Sequence, residues 1–179
     1  MTFKNMGIIA PLLKAIQKTG YQEPTEIQSR AIPLILKGHD IIACAQTGTG
    51  KTAAFALPIL QLLHTAKDDR SHPRALVIVP TRELAIQIAE SLEGLSYFTD
   101  VSSIAVYGGS GGDSFNAEKK ALTQGVDIVV CTPGRMIAHL NMGYVKLKGL
   151  RYLVLDEADR MLYMVFNDDI MKIISFLPK

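Results

Sequence analysis

The strongest constraint on the fold is a set of five short runs rich in Val, Ile and Leu, separated by long intervals. The apolar residues in each run are continuous rather than alternating, which predicts strands buried on both faces of a sheet. Apolar residues between the runs recur at helical spacing, as from Leu84 to Leu95, where Thr81 is the expected N-cap. The predicted strands are residues 40–44, 74–79, 102–107, 127–131 and 151–155.

This alternation of strands and helices predicts an α/β fold, with a mostly parallel sheet and helices on both faces. The chain has 179 residues, 48% of them hydrophobic, which suits one globular domain. Ligands of such sheets bind beyond the carboxyl ends of the strands. The residues that follow each strand are therefore the first candidates for function.

Charge, hydrophobicity and cysteine content bear on nucleic-acid binding, membrane contact and metal or disulfide sites. The net charge of +2 does not by itself indicate a nucleic-acid-binding protein. No signal-like N-terminus and no apolar run near the ~20 residues of a membrane span is present, so we expect a cytoplasmic protein without membrane contact. Cys44 and Cys131 each end an apolar run, which favours small buried side chains over a disulfide or metal site.

The segment AQTGTGKT follows the first predicted strand and nearly matches a phosphate-binding loop, or P-loop, except that Ala45 stands in place of the pattern's first glycine. Glycines at positions 48 and 50 allow backbone N–H groups to face phosphate oxygens at the start of a helix. Lys51 would reach the β- and γ-phosphates and the Thr52 hydroxyl would coordinate Mg²⁺. The alternative is an ordinary glycine-rich turn. The predicted nucleotide-binding residues are Ala45, Gln46, Thr47, Gly48, Thr49, Gly50, Lys51 and Thr52.

Two carboxylates follow the last predicted strand, in the sequence Asp156-Glu157-Ala158-Asp159. A carboxylate at this position can hold nucleotide-bound Mg²⁺, which makes Asp156 the second candidate metal ligand. Glu157 could act as the general base that polarises the attacking water. With Lys51, they are the predicted catalytic residues. The alternative is that both are acidic residues favoured at a helix start by its dipole.

Taken together, these motifs resemble the N-terminal RecA-like domain of DEAD-box ATP-dependent RNA helicases, over residues 3 to about 164. Residues 20–28 resemble the family's Q motif, in which Gln28 would recognise adenine. Phe3, at the family spacing, and Tyr21 would pack near the adenine ring. The family also commonly has alanine at the position of Ala45.

The resemblance also implies RNA-contacting motifs after three other strands. Backbone N–H groups at helix starts, together with Arg82 and Arg135, would bind phosphates without reading bases, so binding would be salt-sensitive. The alternatives are that these arginines are surface charges and that the pair Gly108-Gly109 is only a turn. The implied RNA-binding residues are Pro80, Thr81, Arg82, Gly108, Gly109, Thr132, Pro133, Gly134 and Arg135.

The chain departs from the family in two places. Tyr163 and Val165 replace an aspartate and a glycine, which puts the local helix boundary in question. The sequence also stops before the family's Ser-Ala-Thr motif and second RecA-like domain, and the strand of that motif would lie between those leading into Ala45 and Asp156. We expect one of three arrangements: the two strands pair directly, a second copy covers the gap in a homo-oligomer, or the chain belongs to a longer protein.

The implied function is therefore that of a single ATP- and RNA-binding domain. It would use ATP and Mg²⁺ to remodel or unwind RNA when joined to a second RecA-like domain, in cis or in trans. Alone, the ATP hydrolase would be weak or inactive. The alternatives are a stand-alone nucleotide- or RNA-binding module without ATPase activity and a P-loop enzyme acting on a small molecule.

Overall fold

A computed structural model describes residues 2–109, 111–163 and 166–179. The chain divides into two compact units. The first unit comprises the chain up to Lys67 together with Glu90–Val101, and the second comprises Asp68–Ala89 and the chain from Ser102 onward.

The first unit is helical in the described residues. A 3-10 turn at Lys4–Met6 precedes helices α1 (Ala10–Lys18), α2 (Glu26–Leu36) and α3 (Lys51–Thr65). Helix α2 begins with a capping box, because Thr25 and Gln28 each bind the other's backbone N–H. Helix α3 begins at Lys51, directly after the glycine-rich loop, as the sequence predicted.

The second unit contains an all-parallel sheet flanked by helices. The sheet has four strands in the order β2-β3-β1-β4, so four of the five predicted strands are confirmed. Helix α4 starts in this unit, and the Thr81 hydroxyl accepts a hydrogen bond from Leu84 N–H, which confirms the predicted cap. Its elements are β1 (Ala75–Ile78), α4 (Arg82–Ser96), β2 (Ser103–Val106), α5 (Gly112–Gln124), β3 (Ile128–Cys131), α6 (Pro133–Asn141), β4 (Tyr152–Leu155), α7 (Ala158–Tyr163) and α8 (Asn167–Ile174).

A buried ion-pair network connects the amino ends of three strands. The Asp127 carboxylate, just before β3, accepts hydrogen bonds from Arg74 before β1 and Ser102 before β2. Arg70 binds the same carboxylate at 2.7 Å. Burial by itself raises the pKa of Asp127, but hydrogen bonds from Arg70, Ser102 and Arg74 outweigh it and hold the pKa below its ordinary value. The network holds the amino ends of β1, β2 and β3 in register, and this also aligns the carboxyl ends of the same strands.

The predicted strand at residues 40–44 is wrong. The structure assigns no secondary structure to this segment, its five residues are exposed, and Ile42 is fully so. An apolar run becomes a strand only when a neighbouring strand satisfies its backbone, and no described strand pairs with this one. Cys44 is consequently exposed, whereas Cys131 is buried as predicted.

Strand β4 also differs from the expectation of burial on both faces. It pairs only with β1 in the described sheet and forms its edge, so Leu153 and Leu155 are each 38% exposed. Direct pairing of the strands before Ala45 and Asp156 is therefore not the arrangement found. Tyr163 is the exposed last residue of α7, and Val165 lies outside the described residues. Over the part of the chain described, no helix combines the length and hydrophobicity that a bilayer crossing demands.

Candidate functional site

The glycine-rich loop adopts a turn held together by its own side chains. Gly48 and Gly50 have φ values of 82° and 83°, in the left-handed region that favours glycine. The Lys51 ammonium donates to the Ala45 carbonyl at 2.9 Å, and Thr49 Oγ1 donates to the Gln46 carbonyl at 2.7 Å. Lysine carries three donors, so the bond to Ala45 leaves it capacity for a phosphate oxygen.

Ala45 is compatible with the loop because its backbone has no positive φ in this structure. A glycine is thus not required at the loop's first position. Its carbonyl, rather than its side chain, is the group used, as the acceptor for Lys51.

Gln28 connects the start of α2 to the end of the loop. Its side chain is fully buried, its Oε1 accepts from Thr25 N–H at 3.0 Å, and its Nε2 donates to the Gly50 carbonyl at 3.1 Å. A Cβ on Gly50 would lie 2.3 Å from Nε2, so any other residue there would displace the Gln28 carboxamide. The Thr-x-x-Gln spacing of a capping box was visible in the sequence, whereas the bond to Gly50 was not.

The two aromatic residues of the resemblance lie together. Phe3 is buried, and its ring centroid is 6.4 Å from that of Tyr21 in an edge-to-face contact at 81°. A cavity of about 730 Å³ adjoins the loop, and its lining does not include Phe3, Tyr21 or Gln28. The lining does include Thr25 and Glu26, close to Gln28 in sequence, and Ala45 of the loop, so the cavity borders the predicted nucleotide-binding segments.

Asp156 and Glu157 follow β4 in a tight turn. Asp156 N–H donates to the Ile78 carbonyl at 3.0 Å, and its carboxylate accepts from Glu157 N–H at 3.0 Å. Glu157 has φ 53° and is the one non-glycine residue with positive φ in the described part of the chain. Such strain persists only where the surroundings enforce it, and it is frequent at functional sites. Glu157 also pairs with Arg160 at 3.2 Å.

The chemistry of the predicted metal ligands suits a hard cation. Thr52 and Asp156 offer hydroxyl and carboxylate oxygens, the donor type that Mg²⁺ prefers. The described residues contain no group of three or more His, Cys, Asp or Glu that could hold a metal ion. A cation bound by either residue would therefore need additional oxygens, such as those of a nucleotide.

Arg82 and the glycine pair lie side by side at the carboxyl edge of the sheet. The Arg82 side chain is 52% exposed, and a Cβ on Gly109 would lie 3.0 Å from its Nη1. Gly109 has φ 91°, whereas Gly108 has no positive φ and open space around it. Two motifs that are well separated in the sequence thus form one surface.

Residues 132–135 form the first turn of α6, with Thr132 as N-cap and Pro133 at the first helical position. Thr132 N–H donates to the Val106 carbonyl at 3.1 Å, which fixes this turn beside the end of β2. Arg135 is mostly buried, in contrast to Arg82: its side chain is 15% exposed and pairs with Glu118 at 2.8 Å. Sequence reasoning missed Glu118 and also His139, which is buried against it.

The predicted residues of the second unit thus follow four adjacent strand ends. Motifs after β1, β2 and β3 lie with Asp156 after β4 along one edge of the parallel sheet. That edge is where α/β sheets bind ligands. The sequence-based placement of these motifs at strand ends is confirmed; their ligands remain predictions.

Comparison with known proteins identifies the family. The sequence profile of the DEAD/DEAH box helicase family matches residues 25–179. The chain is 46% identical over 178 residues to a probable ATP-dependent RNA helicase, ddx27, of Dictyostelium discoideum, covering 99% of this chain and 22% of that protein. It is 45% identical over 179 residues to the ATP-dependent RNA helicase DeaD of Escherichia coli (strain K12), covering 99% and 28%.

A third relative, the DeaD helicase of Mycobacterium tuberculosis, is 44% identical over 179 residues and is covered to 31% of its length. The chain therefore spans about a quarter of the length of these curated relatives. The match nevertheless covers nearly all of this sequence and includes the phosphate loop, the strand-end motifs and Asp156-Glu157-Ala158-Asp159. The chain belongs to the DEAD/DEAH box helicase family.

Proposed function

We propose that this chain is the ATP- and RNA-binding RecA-like domain of an ATP-dependent RNA helicase. The observation that carries the proposal is the row of strand ends in the second unit, where the RNA motifs and Asp156 share one sheet edge. The relatives named above are ATP-dependent RNA helicases, which supports the same assignment. The substrates would be ATP and an RNA strand.

The phosphate loop would bind the triphosphate of ATP. Its glycines free backbone N–H groups for phosphate oxygens, and α3 adds the positive end of its dipole. Lys51 would exchange its bond to the Ala45 carbonyl for the β- and γ-phosphates. Thr52 and Asp156 are the proposed Mg²⁺ ligands, and bound Mg²⁺ would neutralise charge that develops on the phosphates. Glu157 is the proposed general base.

The adenine would be bound by the Q motif and its aromatic neighbours. Phe3 and Tyr21 supply ring surface, and the Gln28 carboxamide supplies a donor and an acceptor. Both groups of that carboxamide already bind the protein, so its Nε2 would use its second hydrogen for the base. Nucleotide binding and the fold of the loop would therefore be coupled through Gln28.

RNA would be bound through its phosphates. The first turns of α4 and α6, with Gly108 and Gly109, present backbone groups and the exposed Arg82 along one edge. Such contacts do not distinguish bases. We expect binding that weakens steeply with salt and varies little with sequence.

Turnover would require a second RecA-like domain, in the same protein or in trans. In phosphoryl transfer, an arginine finger from a partner contributes about 10³–10⁵ in rate. ATP would hold the two domains closed on RNA, and ATP hydrolysis would release the RNA. A second copy of this chain is a further possible partner in trans.

The test is RNA-stimulated ATP turnover by this chain, alone and with a second RecA-like domain added. We expect turnover near background alone and a large increase with the added domain and RNA together. Lys51→Ala should abolish the increase, whereas Lys37→Ala, on an exposed lysine at the end of α2, should preserve it. Unchanged turnover in Lys51→Ala would refute the catalytic role.

The adenine assignment has its own test. Titration with fluorescent ATP and GTP should give clearly tighter binding of ATP, because a carboxamide pairs with the donor and acceptor edge of adenine. Equal affinity for the two nucleotides would remove Gln28 from base recognition without affecting the assignment of the phosphate loop.

A further inference from the structure

The Arg135 guanidinium packs against two side chains of α5, Glu118 and Phe115. Its Nε donates to Glu118 Oε2 at 2.8 Å, and its Cζ lies 4.7 Å from the Phe115 ring centroid. Its Nη2 is buried and has no hydrogen-bond partner within the described structure. A phosphate could reach that nitrogen only if the surrounding side chains moved.

Glu118 is the centre of this buried cluster. Its Oε2 also lies 2.6 Å from His139 Nε2, and its Oε1 accepts from Ser114 Oγ at 3.2 Å. Every partner is on α5 or α6. The carboxylate therefore links α5 to α6 through two bonds, to Arg135 and His139, while the bond from Ser114 lies within α5.

His139 completes the connection from the other side. It is fully buried, its ring stacks on Phe115 with centroids 4.2 Å apart, and its Nδ1 is hydrogen-bonded to the Tyr144 hydroxyl. Burial, followed by the Glu118 carboxylate, raises the pKa of Tyr144. Its neutral hydroxyl can therefore be one end of this hydrogen-bonded chain over a wide pH range.

The cluster joins two segments assigned to RNA. Helix α5 follows the Gly108 and Gly109 pair, and α6 begins with Thr132 and Pro133. A buried, charge-assisted pair has a directional geometry that hydrophobic contact lacks. Fixing α5 against α6 therefore fixes the backbone N–H groups at the first turn of α6.

From this we infer that Glu118 and Arg135 are positioning residues for RNA binding. Arg135 acts through the start of α6, and the phosphate contacts of this segment are made by its backbone. The inference rests on the proposed RNA-binding function and assigns Arg135 a different role from the exposed Arg82. Both arginines belong to motifs implied by the family resemblance, so only their surroundings distinguish them.

The experiment measures affinity for a fluorescein-labelled ten-nucleotide oligouridine by anisotropy at several salt concentrations. Each phosphate contact contributes about 0.7 to the slope of log affinity against log salt for a single strand. Arg82→Ala should reduce that slope by about this amount. Arg135→Met, which keeps apolar packing on Phe115, should weaken binding about tenfold with the slope unchanged.

A paired variant tests positioning directly. Glu118→Gln with Arg135→Gln replaces the ion pair by two carboxamides that can still hydrogen-bond each other. Positioning predicts tighter RNA binding by this double variant than by Arg135→Gln alone. A direct phosphate contact predicts equally weak RNA binding by the double variant and by Arg135→Gln, because both lack the guanidinium. Circular dichroism melts identify the folded variants, and Glu118→Gln alone is the milder substitute if Arg135→Met does not fold.

The outcomes separate this inference from the proposed function. A wild-type slope near zero would refute RNA phosphate binding and the inference with it. A normal wild-type slope that falls by about 0.7 in Arg135→Met would overturn the inference alone, because the guanidinium would then contact phosphate. Unchanged affinity in Arg135→Met and Glu118→Gln would overturn it too, leaving the cluster a purely stabilising role.

Discussion

Two segments of this chain have nearly the same sequence and different structures. Asp-Ile-Ile-Ala-Cys at residues 40–44 and Asp-Ile-Val-Val-Cys at residues 127–131 each lead into a functional motif. Residues 128–131 form β3, buried between two parallel neighbours, whereas residues 40–44 are exposed and unpaired in the described structure. An apolar run therefore makes strand formation possible, but a strand forms only where neighbouring strands pair with its backbone.

The first residue of each segment shows the difference most clearly. Asp127 is buried and binds Arg74 at 2.7 Å, while Asp40 is exposed. We expect Asp127→Ala to lower the free energy of unfolding by about 3–5 kcal/mol, because it breaks the buried ion pair between Asp127 and Arg74. Asp40→Ala should change it by less than about 0.5 kcal/mol. Urea denaturation of both variants measures the contrast, and equal losses would contradict it.

The same carboxylate gives a pH dependence of known sign. The pKa of Asp127 is lowered in the folded state, so its contribution to stability is present above the unfolded pKa of about 3.9. The contribution is lost as pH falls through the folded pKa. The free energy of unfolding of the unmutated protein should therefore fall from neutral to acid pH. Asp127→Ala should reduce this fall, and Asp40→Ala should leave it unchanged.

The first apolar residue of each segment gives a smaller contrast. Ile128 is buried and Ile41 is partly exposed. Ile128→Ala should cost about 2–5 kcal/mol, from lost burial and the cavity left behind. Ile41→Ala should cost less, about 1 kcal/mol, because Ile41 is 37% exposed and part of its apolar surface is in contact with water in both states. A large loss in Ile41→Ala would show that residues 40–44 are packed in solution.

These contrasts show how far sequence alone could lead. Continuous apolar runs predicted β1 to β4, and the Thr81 cap and the glycine loop followed from local patterns. Pairing at residues 40–44 depends on a neighbour that the run does not encode. The burial of Arg135 depends on Glu118, 17 positions away on another helix, and that partner is visible only after folding.

The last residues of the two segments, Cys44 and Cys131, should differ in thiol reactivity. Cys131 is buried, and burial raises the pKa of its thiol far above the ordinary value, while Cys44 is exposed. Because the thiolate is the reactive form, Ellman's reagent should modify one thiol per chain quickly and the second at least about a hundredfold more slowly. Cys44→Ser should remove the fast phase, and Cys131→Ser should preserve it. Two fast phases in the unmutated protein would contradict the burial of β3.

The smallest effect concerns the loop that follows residues 40–44, which keeps its turn although the preceding segment is unpaired. Gly48 and Gly50 both have positive φ, but only a Cβ on Gly50 would meet another group, Gln28 Nε2 at 2.3 Å. Gly48→Ala should cost about 1–2 kcal/mol of backbone strain alone.

Gly50→Ala carries the same strain and also displaces the Gln28 carboxamide from its bond to the Gly50 carbonyl, adding about 1 kcal/mol. Thermal melts of the two alanine variants measure that difference, and Gln28→Ala provides the control: it should bring the two glycine substitutions to equal cost. If Gly50→Ala exceeds Gly48→Ala by the same margin with Gln28 removed, the extra cost has another source. If the margin disappears, a single buried carboxamide links the first turn of α2 to the phosphate loop, and this loop is held by its own helices rather than by a strand.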